Sequence, residues 1–352
     1  MRTAGWASRE RWLAVFAGER PDRAPTDYWA TPEFDRKLKA RLGVRTRRQM
    51  LDRLGVDYEV WLKPEYAGPP LARMQDEFGR RFRSVDYGPG AYRECIHNPL
   101  AGFKSVAEIE KNYIWPSPDW WDYRTVRAQA DRAAGHPIRG GGSEPFLIYK
   151  ELRGMEQAFV DLVENPEIVH YGLGRLFDLA YENAVRIYEA VPGRVDISYI
   201  AEDMGGQTDL MISVRHIREF LLPGMKRMID LAHEAGARAF HHNDGSCWRI
   251  IPDMIGLGID LLNPLQWRCP GMERERLKAE FGPHVVLHGG MDNQYTLPFG
   301  TVEEVRREVA DNLRILGMGG GYILAPCHNI QAITPVENVL AMYEAARELG
   351  RL

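Results

Sequence analysis

The chain has 352 residues, 45% of them hydrophobic, with 45 Lys and Arg against 49 Asp and Glu. This length can bury a large core, and the near balance of charge argues against attraction to nucleic acid or an anionic membrane. Four separated cysteines do not indicate a disulfide framework, and no apolar stretch reaches the roughly 18 residues of a membrane span.

The first residues lack the apolar core and cleavage site of a signal peptide, so we expect a cytoplasmic protein. The balance of charge favours small molecules or other proteins as partners. Ser8 is placed to cap a helix that ends near Gly18, and a strand is predicted at 24–29. Helical segments follow at 33–42 and 46–54. The turn-rich stretches KPEYAGPP and DYGPGAY then indicate an excursion with short strands.

From about residue 137 the pattern becomes regular, because apolar runs alternate with amphipathic helical patterns. The predicted strands are 137–141, 195–200, 237–240, 259–263, 285–288 and 322–325. The predicted helices are 149–164, 166–190, 213–234, 247–256, 271–281, 301–316 and 335–349. This alternation is typical of βα units on a parallel sheet.

The strand count predicts an α/β fold, a (β/α)8 TIM barrel with an N-terminal excursion, as a single domain over 1–352. The main alternative is an open, doubly wound sheet. No G-x-G-x-x-G motif follows the first predicted strand, which counts against the dinucleotide-binding version of that alternative.

Polar side chains follow five of the predicted strands. Loops at the carboxyl ends of barrel strands build the active site, so we expect these side chains to meet in one mouth. In chain order they are Glu202, Asp203, Gln207, His241, His242, Asp244, Asn263, Gln266, His288, Cys327 and His328.

The stretch AFHHNDGSC raises the hypothesis of a metal site. His242 and Asp244 are two residues apart, so at an extended strand end they point the same way, and His241 points oppositely. Cys327 or His328 can complete the set from another strand. Three such ligands with an open fourth position are the arrangement of a catalytic zinc.

The same stretch also has a structural interpretation, in which its histidines are hydrogen-bonded and 244–246 is a turn that caps a helix beginning at Cys247. Glu202 and Asp203 also have two interpretations. In the first, neighbouring carboxylates in a closed active-site mouth raise one another's pKa, and one of them acts as a general acid or base. In the second, only one faces the site, and the other caps a helix or forms an ion pair outside it.

Several long stretches resemble the uroporphyrinogen decarboxylase superfamily, which also contains zinc-dependent, corrinoid-linked methyltransferases. They are SRERWLAVFAGERPDRAP, DEFGRRF, NPLAGFKSVAEIEKNYIWPSPDW, EDMGGQTDLMISVRHIREFLLPGMKRMIDLAHEAGARAFHHNDGS and GGGYILAPCHNIQAITPVENVLAMYEAA. The resemblance implies a (β/α)8 barrel with its active site at the C-terminal face.

The first strand separates the branches of this superfamily. True uroporphyrinogen decarboxylases carry an arginine-rich segment there that binds substrate carboxylates. In this chain the corresponding residues 27–33 read DYWATPE, without arginine. A substrate with many carboxylates needs several cationic partners, so the resemblance favours the other branch.

The methyltransferase branch implies zinc ligands from a His-x-Cys pair and a later cysteine. Here His242-Asn243-Asp244 has aspartate in place of the first cysteine. The later position falls on or near His328, beside Cys327. Oxygen and nitrogen ligands still suit zinc. A ligand set with fewer thiolates makes the metal a stronger Lewis acid, which favours polarising a substrate oxygen over activating a substrate thiol.

We therefore predict a metal-dependent methyltransferase that moves a methyl group from a small methylated substrate to a corrinoid on a separate protein. Zinc is expected on His242, Asp244 and His328, with Cys327 as substitute or supplement. The remaining predicted site residues are Glu202, Asp203 and His288 as catalytic groups, and Tyr28, Trp29, Gln207, Asn263 and Gln266 as substrate contacts.

Two alternatives stay open. One is a decarboxylase that uses Asp203 and His328 as charge stabilisers, which arginines lining the cavity, such as Arg139, Arg153 or Arg268, would favour. The other is a non-catalytic barrel that binds a small ligand. The substrate, the metal and the oligomeric state, monomer or homodimer, are not fixed by the sequence.

Overall fold

A computed structural model of the protein describes residues 5–133 and 135–350, so both ends of the predicted 1–352 domain lie outside the described residues. The strands are β1 (Val60–Trp61), β2 (Glu65–Tyr66), β3 (Arg81–Asp86), β4 (Ala91–His97), β5 (Trp121–Asp122), β6 (Ile138–Ser143), β7 (Ile197–Ala201), β8 (Arg238–His242), β9 (Leu261–Asn263), β10 (Val286–Met291) and β11 (Tyr322–Pro326).

The helices alternate with the later strands. They are α1 (Ser8–Phe16), α2 (Pro32–Leu42), α3 (Arg47–Leu54), α4 (Val106–Asn112), α5 (Val126–Asp131), α6 (Pro145–Arg153), α7 (Met155–Glu164), α8 (Pro166–Ala190), α9 (Val214–His216), α10 (Leu222–Glu234), α11 (Ile251–Leu257), α12 (Arg274–Glu280), α13 (Thr296–Phe299), α14 (Val302–Ile315) and α15 (Val336–Leu349). None of the helices in the described ranges has the length and apolar character to cross a membrane.

The main sheet has seven parallel strands in the part of the chain that the structure describes, in the order β1-β6-β7-β8-β9-β10-β11. Six of them overlap the strands predicted from residue 137 onwards. The parallel α/β architecture is therefore confirmed.

The first predicted strand, 24–29, is present only as one isolated parallel bridge. Thr26 pairs with Leu324 of β11, and on its other side the Asp57 N–H donates to the Thr26 carbonyl at 2.9 Å. This segment thus lies between β11 and the chain that leads into β1. β1 itself was not predicted, and the closed count of eight strands stays a prediction.

Between β1 and β6 the chain leaves the sheet and forms two antiparallel ribbons, β2 with β5 and β3 with β4. Thr31 and Thr46 cap α2 and α3 by accepting backbone N–H groups, which fixes the helices that precede this region.

The helix predicted at 247–256 was placed too early, because α11 begins at Ile251. Pro252 stands in its first turn, where a residue without an N–H is best accommodated. Ser246 does not cap this helix, since its hydroxyl donates to the Pro270 carbonyl at 2.7 Å.

A small apolar cluster closes the interior of the sheet at one end, and we call it the floor. It consists of Trp12, Val15, Ile197, Phe240, Leu261, Val286 and Ile323. Helix α1 supplies its first two members, and the Trp12 indole N–H donates to the Asp57 carbonyl at 2.6 Å. Helix α1 covers this end of the sheet. The polar groups therefore lie on the other side of the floor, at the carboxyl ends of the strands.

Candidate metal centre

Polar side chains form the next layer above the floor. His242, Asn263 and His288 each lie two residues beyond a floor residue of the same strand, so the alternation of side chains turns them to the same interior. They are 4%, 1% and 0% exposed, respectively. The strand pattern therefore creates a buried polar layer directly on an apolar one.

His242, Asp244 and His328 form the one group of potential metal ligands found among the described residues, with ligand atoms within 4.8 Å of one another. His242 Nε2 lies 3.8 Å from Asp244 Oδ1, and His328 Nε2 lies 3.5 Å from Asp244 Oδ2. Asp203 Oδ1 approaches His242 Nε2 to 3.6 Å from the neighbouring strand end.

These groups fit a divalent cation. Tetrahedral zinc with bonds of about 2.0–2.1 Å separates its ligands by about 3.4 Å, which is close to the spacings present. Asp244 Oδ1 is buried and has no hydrogen-bond partner in the described part of the chain. Burial raises the pKa of Asp244 to about 8, and the charges of Asp203 and Glu144 add to that rise. A bound cation would relieve this concentration of carboxylates.

The histidines of the cluster are also poised as neutral ligands. Burial lowers the pKa of His242 to about 4 and lowers the pKa of His328. The His242 Nδ1 lies 2.6 Å from the Asn263 Oδ1, so its other ring nitrogen faces the carboxylates. An imidazole held by its Nδ1 in this way is the usual form of a metal-bound histidine.

A cavity of about 690 Å³ opens beside the cluster. Its lining combines the polar groups with aromatic rings and comprises Asp27, Tyr28, Trp29, Ala30, Arg47, Tyr58, Glu59, Trp61, Lys63, Glu144, Leu147, Tyr199, Asp203, His242, His328 and Asn329. Tyr28 and Trp29, predicted as substrate contacts, thus line it together with the predicted Asp203, His242 and His328.

A buried ion pair borders the cavity. Arg139 donates to Glu59, and both side chains are 4% exposed. The guanidinium carbon of Arg139 lies 3.8 Å from the ring centroids of both Trp61 and Tyr199. This stacking fixes one wall of the cavity.

Other predicted site residues lie away from the cavity lining. Glu202 is fully buried and accepts the Phe146 N–H at 2.9 Å, and the Cys327 thiol donates to the Leu265 carbonyl at 3.0 Å. Because its thiol faces this carbonyl, Cys327 is not among the clustered ligand atoms.

The two predicted glutamines also bind within the protein. Gln266 accepts the Gly245 N–H, and Gln207 accepts a hydrogen bond from Gln294 at 3.1 Å.

Sequence reasoning missed Glu144, which directly follows β6 and lines the cavity. Burial raises its pKa to about 7, with a further contribution from the charge of Asp203. A carboxyl group with such a pKa can give or take a proton near neutral pH. The rule that polar residues after parallel strands build the site would have found Glu144, had it been applied to the first strand of the regular region.

The metal-free protein is expected to lose about 1–2 kcal/mol of its free energy of unfolding between about pH 6.5 and 8. The folded protein keeps a proton on Asp244, whose pKa is about 8, after the unfolded chain has lost it. The buried His241 and His242, with pKa values lowered to about 4, act oppositely but only below about 6.5.

Urea unfolding measured across this pH range checks the expectation. The Asp244→Asn variant is the control, since it has no carboxyl group to ionise and should lose less stability with pH. A wild-type free energy of unfolding that rises from pH 6.5 to 8 would contradict the assigned pKa shift.

The chain is similar to known proteins along nearly its whole length. A family model described as uroporphyrinogen decarboxylase (URO-D) matches residues 123–349. The uroporphyrinogen decarboxylase of Nitrosococcus oceani is 24% identical over 222 residues, which make up 62% of this chain but only 56% of that protein. That of Anaeromyxobacter dehalogenans is 29% identical, with 97% of this chain and 99% of that protein covered.

Among solved structures, a methyltransferase from Methanosarcina mazei superposes with a TM-score of 0.66 at 20% identity, covering 97% of this chain and 99% of that one. This likeness concerns the fold.

Proposed function

This chain belongs to the uroporphyrinogen decarboxylase family, and from that premise we propose that it is a metal-dependent methyltransferase. It would take a methyl group from an oxygen or nitrogen of a small substrate and pass it to a corrinoid on a separate protein. The observation that carries the proposal is the grouping of His242, Asp244 and His328 beside a substrate-sized cavity.

His242, Asp244 and His328 would hold zinc. Bound there, zinc would act as a Lewis acid on the methylated oxygen or nitrogen of the substrate. As the bond to the methyl group breaks, the substrate atom keeps the bonding pair and takes a proton. Asp203 and Glu144 both line the cavity, and Glu144 is the better proton source because its pKa is raised to about 7.

The cavity supports a substrate larger than methanol or methylamine. Its volume of about 690 Å³ lies within the usual range for ligand pockets of about 300–1,000 Å³. Trp29, Trp61 and Tyr199 present aromatic surface, and Arg47 and Lys63 contribute positive charge to the same lining. A methylated aromatic compound with an anionic substituent matches this combination.

Decarboxylation is the second candidate, supported by the names of the two relatives aligned above. The proposed marker, arginines in the cavity, is represented in the lining by Arg47, whose Nε lies 3.2 Å from Asp35 Oδ2. Arg139 borders the cavity but is paired with Glu59, Arg153 is buried against Asp161, and Arg268 pairs with Asp292. A substrate bearing many carboxylates would find few free cations here.

The test offers zinc-loaded protein two reactions in parallel. In one, cob(I)alamin is the methyl acceptor and a set of aryl methyl ethers, alkyl methyl ethers and methylamines are the donors. In the other, uroporphyrinogen is supplied and carbon dioxide is measured. We expect methylcobalamin from at least one donor with wild-type protein and none with His328→Ala. Release of carbon dioxide would overturn the proposal in favour of decarboxylation, and inactivity in both reactions would favour a binding protein.

A further inference from the structure

We propose that Asp27, His288 and Asn263 form a hydrogen-bond relay that sets the tautomer of His242 and keeps its Nε2 lone pair directed at Asp244. These three are positioning residues, and they act on the ligand through its other ring nitrogen. The benefit to metal binding rests on the proposed function, but the relay itself is a property of the metal-free chain.

The relay begins at a carboxylate that can only accept hydrogen bonds. Asp27 accepts the Tyr28 backbone N–H and the Trp29 indole N–H, both at 2.7 Å. The His288 Nε2 lies 3.2 Å from Asp27 Oδ2. Because the carboxylate has no proton to give, the hydrogen in this contact belongs to His288 Nε2.

The next two contacts follow from that assignment. The Asn263 amide nitrogen can only donate, so the His288 Nδ1 that faces it accepts and carries no proton. The Asn263 amide nitrogen lies 2.7 Å from this Nδ1, so the Asn263 oxygen is turned to His242 Nδ1 at 2.6 Å. That oxygen only accepts, and His242 must therefore carry its proton on Nδ1.

The result is a free lone pair on His242 Nε2, where Asp203 and Asp244 approach to 3.6 and 3.8 Å. The opposite tautomer would place a proton at the position that a metal must occupy. Hydrogen bonds from outer residues commonly fix metal-binding histidines in this manner.

Burial makes the relay resistant to reversal. Asp27, His288 and Asn263 are all at most 2% exposed, so solvent does not offer them alternative partners. The His288 ring is held between aromatic neighbours, with centroids 5.1 Å from Phe240 and 5.8 Å from Trp12. A ring flip would break the relay at both ends.

Nitrogen-15 NMR of histidine side chains in the metal-free wild-type protein tests the relay directly. We expect neutral His242 with its proton on Nδ1 and neutral His288 with its proton on Nε2. His241 serves as an internal reference, since its Nδ1 faces the Ile200 carbonyl at 2.8 Å. A proton on His242 Nε2, or a doubly protonated His288, would overturn the proposal.

Asp27→Asn tests the consequence, because an amide can donate to His288 and allow the whole chain of contacts to reverse. We expect a mixture of His242 tautomers and a zinc affinity lower by about 10- to 100-fold. The control is Asp161→Asn, which removes a buried carboxylate paired with Arg153 and not with a histidine. It should leave the His242 tautomer and the zinc affinity unchanged.

The two proposals can fail separately. Wild-type protein that binds no zinc would remove the metal-dependent function, and its NMR spectrum would still test the relay. If Asp27→Asn keeps the wild-type tautomers and the wild-type zinc affinity, the relay proposal is wrong, and the proposed metal-dependent function is not affected.

Discussion

Replacing His242 with alanine is expected to lower the affinity for zinc by on the order of a thousandfold. Zinc sites bind with roughly 10–16 kcal/mol, so one of three ligands carries about 3–5 kcal/mol, and each 1.4 kcal/mol is about tenfold. His242 is central to the cluster because it approaches both Asp203 and Asp244 from the end of β8. Competition with a chelator of known affinity measures the loss.

His241→Ala is the matched control. It removes the adjacent histidine, which is equally buried but faces away from the cluster towards the Ile200 carbonyl. Its zinc affinity should stay within about twofold of wild type, since no ligand is lost. Equal losses in the two variants, or no loss in His242→Ala, would show that His242 is not a ligand.

Replacing Arg139 with methionine is expected to cost about 3–5 kcal/mol of the free energy of unfolding, because it leaves the carboxyl group of Glu59 buried without its cation. Burial already raises the pKa of Glu59, and Arg139 opposes that rise. Without Arg139 the pKa of Glu59 should increase further, so the loss should be larger at pH 8 than at pH 5. Urea unfolding at both pH values measures this.

The double variant Glu59→Gln with Arg139→Met separates charge burial from lost packing. It removes both charges while methionine retains much of the arginine stem between Trp61 and Tyr199. We expect a smaller loss of stability than in Arg139→Met alone. If the double variant is as unstable as Arg139→Met, the loss of stability comes from the lost packing of Arg139 against these rings and not from the unpaired charge of Glu59.

The regular half of the fold was predictable because its signals are local. Six largely apolar runs from residue 137 onwards correspond to six strands of the sheet, since strands buried on both faces are rich in apolar residues. β1 escaped prediction because it has only two residues, Val60 and Trp61. Its place in the sheet depends on pairing with β6, which no local pattern encodes.

The grouping of His242, Asp244 and His328 was predictable from the topology. Strand ends of a parallel sheet converge, and the spacing of two between His242 and Asp244 turns both side chains the same way. The sequence did not decide between Cys327 and His328. Only the structure turns the Cys327 thiol to the Leu265 carbonyl, away from the other ligand atoms.

The relay could not be read from sequence positions alone. Asp27 and His288 are 261 residues apart in the chain, and they meet because the 24–29 segment lies beside β11. Asn263 was predicted as a substrate contact and His288 as a catalytic group. Both lie deep in the interior, directly above the apolar floor, and in the proposed relay they act on His242 through hydrogen bonds.

The central claim is that His242, Asp244 and His328 hold a metal ion. Anomalous diffraction at the zinc absorption edge, from crystals of zinc-loaded wild-type protein, tests it most directly. The account predicts one strong peak within about 2.0–2.2 Å of His242 Nε2, an Asp244 carboxylate oxygen and a ring nitrogen of His328. A map without a peak among these three side chains, or with its strongest peak elsewhere on the protein, would contradict it.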